Sequence, residues 1–211
     1  LLRMLLDAGA RQIGEPNQRH AVAIDGRAPK FDGGICTRVD CVSLGIVVNR
    51  NAERFYDEGE DFWPKRYAIW GRLVADQPDQ VAHDPATLEK TVADYNAAVQ
   101  PGKFDHTELD GVHTSGLVVN KTNWARTLDH PPYSAYCLRP GITFTYLGVE
   151  VSEKAQMQMA DGTESPNIFA AGEIMAGNVL GQGYLAGIGM TIGNVFGRIA
   201  GREAADYALN R

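Results

Sequence analysis

The chain has 211 residues, of which 44% are hydrophobic and 22% charged, and its formal net charge is -6. These proportions are typical of a soluble globular protein, and the length allows one large domain or two small ones. Because an acidic chain has no surplus of cations to neutralise phosphates, the composition argues against a nucleic-acid partner.

The cysteines, Cys36, Cys41 and Cys137, are odd in number and include no CxxC pair. This pattern favours reduced, mostly buried thiols in a cytoplasmic protein over disulfides, and it predicts no metal site. No signal peptide or membrane-spanning segment is recognisable. The chain begins inside the apolar run LLRMLL, so we expect that the front of a larger protein precedes it.

The first elements in chain order are short. The apolar run at 1–6 predicts the end of a helix that Gly9 closes. Residues 21–24 predict a short strand, and His20 before it is expected to be a surface histidine. Residues 42–49 alternate between apolar and polar side chains, and a turn at 50–52 leads into 54–56, which predicts a hairpin.

The middle of the chain combines a charged, aromatic loop at 57–67 with one helix. Within that loop Arg66 has two interpretations: an ion pair with the preceding acids, or a fork that holds a carboxylate through two hydrogen bonds. Asp84 and Pro85 predict a helix start, and proline and glycine at 101–102 predict its end. Residues 103–123 are polar and turn-rich.

Extended structure dominates from 134 to 169, with a strand at 134–138, an alternating segment at 143–151 and a hairpin whose turn lies at 161–162. The stretch 168–205 then reads IFAAGEIMAGNVLGQGYLAGIGMTIGNVFGRIAGREAA. It predicts a short buried strand, a glycine-rich loop and a helix, which is the layout of a ligand cradle.

The glycines of this last stretch require a physical reason, because each glycine inside a helix costs about 1 kcal/mol relative to alanine. Gly189, Gly193, Gly197 and Gly201 repeat every four residues and leave one helix face without side chains. Polar residues interrupt the helix well short of a membrane span, which disfavours that explanation. Close packing against a strand remains an alternative, but the loop glycines at 177, 181, 183 and 187 favour a planar or anionic ligand.

This stretch resembles the carboxy-terminal flavin-binding signature of the fumarate reductase and succinate dehydrogenase flavoprotein family. Within the family the resemblance is strongest to the tricarballylate dehydrogenase branch. Three segments carry it: RFYDEGEDFWPKRYAIWGRLVADQPDQ at 54–80, RPGITFTYLGVEV at 139–151 and GEIMAGNVLGQGYLAGIGMT at 172–191.

The resemblance implies an α+β fold made of a capping domain of the fumarate reductase type and the carboxy-terminal part of an FAD/NAD(P)-binding α/β domain. The predicted boundaries are 1–41 for a segment leading into the cap, 42–135 for the capping domain and 136–211 for the FAD-binding part. A longer segment is normal in the family near His83 and Asp84, so we expect a deletion or missing residues there.

The implied cofactor is FAD, held here mainly by backbone and small residues. The positions carried over from the family are Thr145, Gly148, Gly172, Glu173, Gly183, Leu185, Ala186, Gly187 and Gly189. The family also places the FAD diphosphate on a GxGxxG turn, and no such turn follows a strand in this chain. We therefore expect the chain to hold the flavin half of the cofactor and to lack the diphosphate cradle.

The implied reaction is oxidation of a small polycarboxylate, tricarballylate to cis-aconitate, by hydride transfer to flavin N5. Arg66 and Arg139 are the predicted carboxylate-binding cations, and Arg66 and Tyr184 are the two candidates for proton transfer. Tyr184 stands where the family carries a substrate-binding arginine, which argues against a plain fumarate or succinate enzyme.

Alternatives that remain are a fumarate reductase-like enzyme, a ketosteroid dehydrogenase-like enzyme and a non-catalytic module that lost its GxGxxG half. Expected partners are the substrate and an electron-acceptor protein at a membrane, so the expected location is the cytoplasm, with membrane association only through that partner.

Overall fold

A computed structural model describes residues 1–78 and 85–210. The helices are α1 (Leu2–Asp7), α2 (Trp63–Ala75), α3 (Pro85–Ala98) and α4 (Ile188–Leu209). The strands are β1 (Gln12–Ile13), β2 (Arg19–Asp25), β3 (Leu138–Thr145), β4 (Gly148–Val149), β5 (Gln156–Gln158) and β6 (Glu164–Phe169). Two 3-10 helices lie at Asp40–Leu44 and Gly172–Asn178. This mixture of helix and strand is consistent with the predicted α+β class.

The chain divides into two compact units. Unit 1 comprises Leu1–His20 and Thr143–Arg211, and unit 2 comprises Ala21–Ile142. The strands of the described residues form three two-stranded sheets, ordered β1-β4, β2-β3 and β5-β6. The chain passes from one unit to the other within β2 and again within β3. The predicted boundaries at 41–42 and 135–136 both fall inside unit 2, and its assignment as a capping domain stays a prediction.

In unit 1, backbone segments pack directly against one another at glycine residues, which have no side chain to keep them apart. A Cβ built on Gly14 would lie 2.3 Å from the carbonyl oxygen of Tyr146, and one built on Gly177 would lie 2.4 Å from the same oxygen. Gly148 is equally constrained, since its Cβ would lie 2.2 Å from the carbonyl oxygen of Ile174. These distances are too short for any side chain, so the three glycines let the segment at 146–148 pack directly against the 3-10 helix Gly172–Asn178.

Helix α4 begins at Gly187, whose φ of 93° lies in the left-handed region that favours glycine. Its one fully buried residue is Ile192, which joins a core cluster with Tyr146 and Met175. Apart from the helix itself, no atom of the described residues lies within 4 Å of a Cβ built on Gly193, Gly197 or Gly201. Within the described residues, the glycine face of α4 is therefore open at these three positions, whereas Gly189 contacts Tyr184.

Several predicted elements are confirmed. Helix α1 ends just before Gly9, which has a φ of 93°. The strand predicted at 21–24 lies within β2, the helix after Pro85 is α3, and the hairpin around 161–162 is the antiparallel pair β5-β6. The cap predicted at Asp84, together with the deletion expected at 83–84, lies outside the described residues.

Three predictions in unit 2 are wrong. Residues 134–137 lie outside any strand, because β3 begins only at Leu138. The expected hairpin at 42–56 is reduced to one bridge between Val48 and Arg54, and residues 40–44 form a 3-10 helix. The expected loop at 62–67 is the start of α2, with Pro64 in its first turn. Helix α2 lies directly on β2, because a Cβ at Gly71 would come within 2.3 Å of the carbonyl oxygen of Val22. This burial favours a helix that local composition alone does not reveal.

The cysteine thiols differ from the prediction. All three cysteines are exposed, so the expectation of mostly buried thiols is wrong. No helix among the described residues is long and apolar enough to span a membrane. The same part of the chain contains no group of three or more His, Cys, Asp or Glu side chains that could hold a metal ion.

A buried charge network organises unit 2. Glu58 pairs with Arg54 through an Nη2–Oε2 distance of 2.5 Å, and it accepts the backbone N–H of Val47 at 2.7 Å. Lys121 is fully buried and its Nζ donates to the carbonyl oxygen of Gly45 at 2.7 Å. Desolvation lowers the pKa of Lys121 from 10.5 to about 8, and the nearby Glu58 carboxylate only partly opposes this.

We predict that the stability of unit 2 rises with pH from about 8 towards 10. In this window unfolded Lys121 holds a proton that the folded state has released, so the free energy of unfolding increases with pH. Above about pH 10 the effect reverses, because burial raises the pKa of Tyr95 to about 12 and raises that of Tyr56, so phenols ionise first in the unfolded chain. Urea unfolding followed by tryptophan emission measures this, since Trp63, Trp70 and Trp124 all lie in unit 2.

The matched control for this prediction is Lys121→Met, which removes the titrating group and keeps a long apolar stem. The variant should lose the rise between pH 8 and 10 and keep the fall above it. A parent protein with pH-independent stability across this window would contradict the lowered Lys121 pKa.

Candidate functional site

Unit 1 contains a pocket of about 270 Å³ at the start of α4. Four segments surround it: the end of β3, the 3-10 helix Gly172–Asn178, the loop that enters α4, and the first turns of α4 itself. The residues that line it are Phe144, Gly172, Glu173, Ala176, Tyr184, Gly189, Met190 and Ile192. Four of them, Gly172, Glu173, Tyr184 and Gly189, are among the residues predicted from the sequence.

Local backbone geometry opens this pocket. Ala171 is extended, and Gly172 then adopts a φ of 78°, so the chain turns sharply from β6 into the 3-10 helix. A Cβ at Gly172 would meet nothing within 4 Å, which leaves its backbone accessible. Glu173 follows in the first turn and brings a carboxylate to the pocket wall.

Tyr184 lies against the amino terminus of α4. Its Oη accepts a hydrogen bond from the backbone N–H of Gly189 at 3.2 Å. A Cβ on Gly189 would lie 2.8 Å from this oxygen, so the contact requires a residue without a side chain. Because Oη is the acceptor here, the phenolic proton is not used in this bond.

Sequence reasoning missed His20, and it also missed the pocket-lining residues Phe144, Ala176, Met190 and Ile192. His20 is buried, with 5% of its surface exposed, so the expectation of a surface histidine is wrong. Its ring stacks on Phe144 at a centroid distance of 5.3 Å and meets Tyr184 edge-on at 4.4 Å. Its position in β2, where the five inner residues are all buried, is the signal that could have found it.

The remaining predicted cofactor residues lie in unit 1 outside the pocket lining. Gly148 is buried against the backbone of Ile174, which gives it a packing reason of its own, and Thr145 is exposed. The loop residues Gly183, Leu185, Ala186 and Gly187 are exposed beside the pocket-lining Tyr184.

The predicted carboxylate-binding cations belong to unit 2, where both already have protein partners. The Nη2 of Arg66 lies 2.5 Å from Glu60 Oε1, with about a third of each side chain exposed. Arg139 donates to the carbonyl oxygens of Ala28 at 2.9 Å and Lys30 at 3.4 Å, and also to that of Pro29. Arg66 thus forms the ion pair that was one of its two interpretations, and Arg139 fastens the loop at 28–30.

The pocket in unit 1 fits one half of a flavin dinucleotide. The backbone at Gly172 is accessible, and Cβ atoms built on Gly181, Gly183 and Gly187 would also meet nothing within 4 Å. Open backbone of this kind can lie flat against a ring system. Glu173 supplies a carboxylate that can accept hydrogen bonds from ribityl or ribose hydroxyls.

Comparison with known proteins identifies the family. A family model described as "FAD binding domain" matches residues 3–190. The chain belongs to this FAD-binding family, and FAD is the cofactor that the match indicates. The predicted resemblance to flavoproteins of the fumarate reductase type is confirmed at this level.

The similar proteins are oxidoreductases. A 4-oxocyclohex-2-ene-1-carboxylate 5-dehydrogenase from Sinomonas cyclohexanicum is 31% identical over 71% of this chain and 26% of its own length. A fumarate reductase (cytochrome) from Shewanella frigidimarina is 34% identical over 59% of this chain and 20% of its own length. The chain thus spans about a quarter or less of the length of these curated relatives.

A solved structure supports the fold alone. The 3-ketosteroid Δ1-dehydrogenase from Sterolibacterium denitrificans superposes with a TM-score of 0.62 at 18% sequence identity. The match covers all of this chain and 46% of that one.

We predict that the 211-residue chain binds riboflavin and FAD with nearly equal, weak affinity. The pocket offers Glu173 and open glycine backbone to the flavin half, whereas the sequence has no GxGxxG turn to hold a diphosphate. Titration with quenching of flavin fluorescence compares the two ligands directly.

The control for this titration is Glu173→Gln, which should weaken both ligands by a similar factor because the hydroxyl acceptor loses its charge. Binding of FAD much tighter than that of riboflavin would show that the chain holds the adenosine diphosphate half, contrary to the prediction.

Proposed function

We propose that this chain serves an FAD-dependent oxidoreductase acting on a CH–CH bond beside a carboxyl group, with tricarballylate, oxidised to cis-aconitate, as the substrate. The observation that carries the proposal is the pocket in which Glu173 and the accessible backbone of Gly172 lie together with the phenol of Tyr184. The family match and the oxidoreductase relatives support the flavin chemistry. The three resembling segments support the choice of substrate.

The reaction forms a carbon–carbon double bond by removing a hydride from one carbon and a proton from its neighbour. Bound FAD supplies the hydride acceptor. The proton requires a group in this protein, and Tyr184 is the better of the two candidates. A phenol can exchange a proton with a substrate, whereas a guanidinium holds its proton too tightly to act as an acid or base, and Arg66 is already paired with Glu60.

Substrate carboxylates need cations, and Arg66 can supply one at small cost. Its ion pair with Glu60 is about one-third exposed, and such pairs contribute only about 0 to 1 kcal/mol. A substrate carboxylate can therefore replace Glu60 and gain two parallel hydrogen bonds from the planar fork. Arg139 would have to give up backbone carbonyls that its side chain now holds, so Arg66 is the first choice.

A second candidate function is dehydrogenation of a cyclic ketone, and one observation favours it. Tyr184 lines the pocket, and its hydroxyl accepts a hydrogen bond from the Gly189 amide of α4. Such a hydroxyl suits a carbonyl oxygen that gains negative charge during reaction. The Sinomonas relative is named for an oxocyclohexene carboxylate. This candidate needs Tyr184 as a hydrogen-bond donor rather than as a base.

The proposal also covers the domain organisation, the cellular location and the electron acceptor. Unit 2 is proposed as the capping domain, with the segment at 42–135 as its body and residues from 136 onward in the FAD-binding domain. We further propose a cytoplasmic protein that passes electrons to an acceptor protein at a membrane.

We predict that Tyr184→Phe, in the protein carrying its complete FAD site, slows flavin reduction by about 100-fold or more, while substrate affinity holds. Stopped-flow absorbance with tricarballylate and with a cyclic oxo-carboxylate measures both candidates under the same conditions. The matched cation test is Arg66→Lys, which should weaken capture of tricarballylate because an ammonium cannot form the two parallel bonds.

The two substrates separate the candidates. Reduction by tricarballylate alone supports the first, and reduction by the ketone alone supports the second. A parent rate in Tyr184→Phe with either substrate would remove Tyr184 from the chemistry.

A further inference from the structure

We propose that Gly189 and His20 are positioning residues for Tyr184: the Gly189 amide donates a hydrogen bond to the phenolic oxygen, and the His20 ring packs against the phenol ring. The inference rests on the proposed function only for its kinetic consequence, since the contacts themselves can be tested without catalysis. It gives Gly189, predicted as a flavin-contacting glycine, a different role.

The first support is the fit between Tyr184 and the helix terminus. The Gly189 N–H lies in the first turn of α4, where backbone amides lack partners within the helix. Tyr184 Oη accepts this N–H at 3.2 Å, and a methyl group at Gly189 would come within 2.8 Å of Oη and 3.7 Å of two ring carbons. Any side chain at Gly189 therefore displaces the hydroxyl.

The second support is the contact of the partly buried Tyr184 ring with two other rings. His20 meets Tyr184 at a centroid distance of 4.4 Å and an interplanar angle of 87°, and Phe144 meets it at 5.7 Å and 70°. His20 and Phe144 also stack on each other at 17°. Edge-to-face contacts of this kind are directional, so two of them fix the ring plane of Tyr184.

The consequence concerns the phenolic proton. With its oxygen accepting from Gly189, the hydroxyl can donate only away from the helix. The hydrogen bond from the Gly189 amide favours negative charge on this oxygen, which helps Tyr184 take a proton in the first candidate function. It also strengthens donation by the hydroxyl in the second candidate function. The positive end of the α4 dipole acts in the same direction, because it stabilises negative charge that develops on the oxygen. Fixed orientation and this hydrogen bond both require Gly189.

The direct test uses nuclear magnetic resonance of the chain labelled at the tyrosine ζ-carbon, with the Tyr184 signal assigned through Tyr184→Phe. Gly189→Ala should shift this signal, whereas Gly193→Ala, an equal change one turn along α4 with open space around it, should leave it in place. His20→Phe should keep a ring and produce a smaller shift than His20→Ala. An unmoved Tyr184 signal in Gly189→Ala would overturn the proposal.

A second measurement does not depend on the folding of any glycine variant. The Gly189 amide should be protected from hydrogen exchange in the parent chain and should lose protection in Tyr184→Phe, which removes only the accepting oxygen. Equal exchange in both proteins would show that the hydrogen bond does not form in solution, and the proposal would fail.

The kinetic test is a double-mutant cycle in the FAD-loaded protein. Gly189→Ala should slow flavin reduction by about 100-fold, the scale expected for a displaced catalytic group, without raising KM, and Gly193→Ala should not. In a Tyr184→Phe background Gly189→Ala should have almost no further effect. An equal loss in both backgrounds would mean that Gly189 acts on the flavin and not through Tyr184.

The positioning of Tyr184 and its proposed role in proton transfer can be disproved independently of each other. If Tyr184→Phe reduces flavin at the parent rate while the amide and carbon signals behave as expected, the positioning stands and the proposed proton transfer fails. If the signals do not respond, the positioning fails whatever the kinetics show.

Discussion

The arrangement of unit 1 depends on direct contact between backbones around the Tyr146 carbonyl. Gly14 and Gly177 approach this oxygen from two segments, and Gly148 approaches the carbonyl of Ile174 nearby. Larger residues at these positions would separate the strand from the 3-10 helix by the thickness of a side chain. That separation would move Gly172 and Glu173, and with them one wall of the pocket, away from α4. The geometry of the site is therefore set by residues that never line it.

The structure also assigns different surroundings to the glycines of the stretch 168–205. They look alike in the sequence, yet they serve three purposes in the structure. Gly177 packs against protein, Gly189 accommodates the Tyr184 hydroxyl, and Gly181 and Gly183 leave open backbone beside the pocket. The last group, like Gly172 and Gly187, keeps the open backbone that the ligand-cradle interpretation expects, and its contact with a ligand stays a prediction. Spacing identifies a glycine-rich segment, whereas the neighbour of each glycine comes from long-range contacts that spacing does not encode.

The difference between local sequence pattern and long-range contact also explains which features could be predicted from the sequence. Helix α4, the β5-β6 hairpin and the flavin family follow from local periodicity, turn residues and a long motif, and all three were predictable. Helix α2 was missed, because Pro64 and the aromatic residues around it resemble a loop until their burial against β2 is known. His20 was missed for a similar reason: its partners, Phe144 and Tyr184, lie more than a hundred residues away along the chain. The two arginines were predicted to bind substrate carboxylates, and that role stays a prediction. Their observed partners in unit 2 come from contacts that the sequence pattern does not encode.

The central claim is that the flavin occupies the pocket formed by the 3-10 helix Gly172–Asn178 and the start of α4. Methyl resonances of the five methionines test it directly. Met190 lines the pocket and is 76% exposed, while Met4 in α1 is similarly exposed at 71% and does not line it. On addition of riboflavin the account predicts a ring-current shift of the Met190 methyl and none for Met4. An unchanged Met190 signal at saturating flavin would contradict the account.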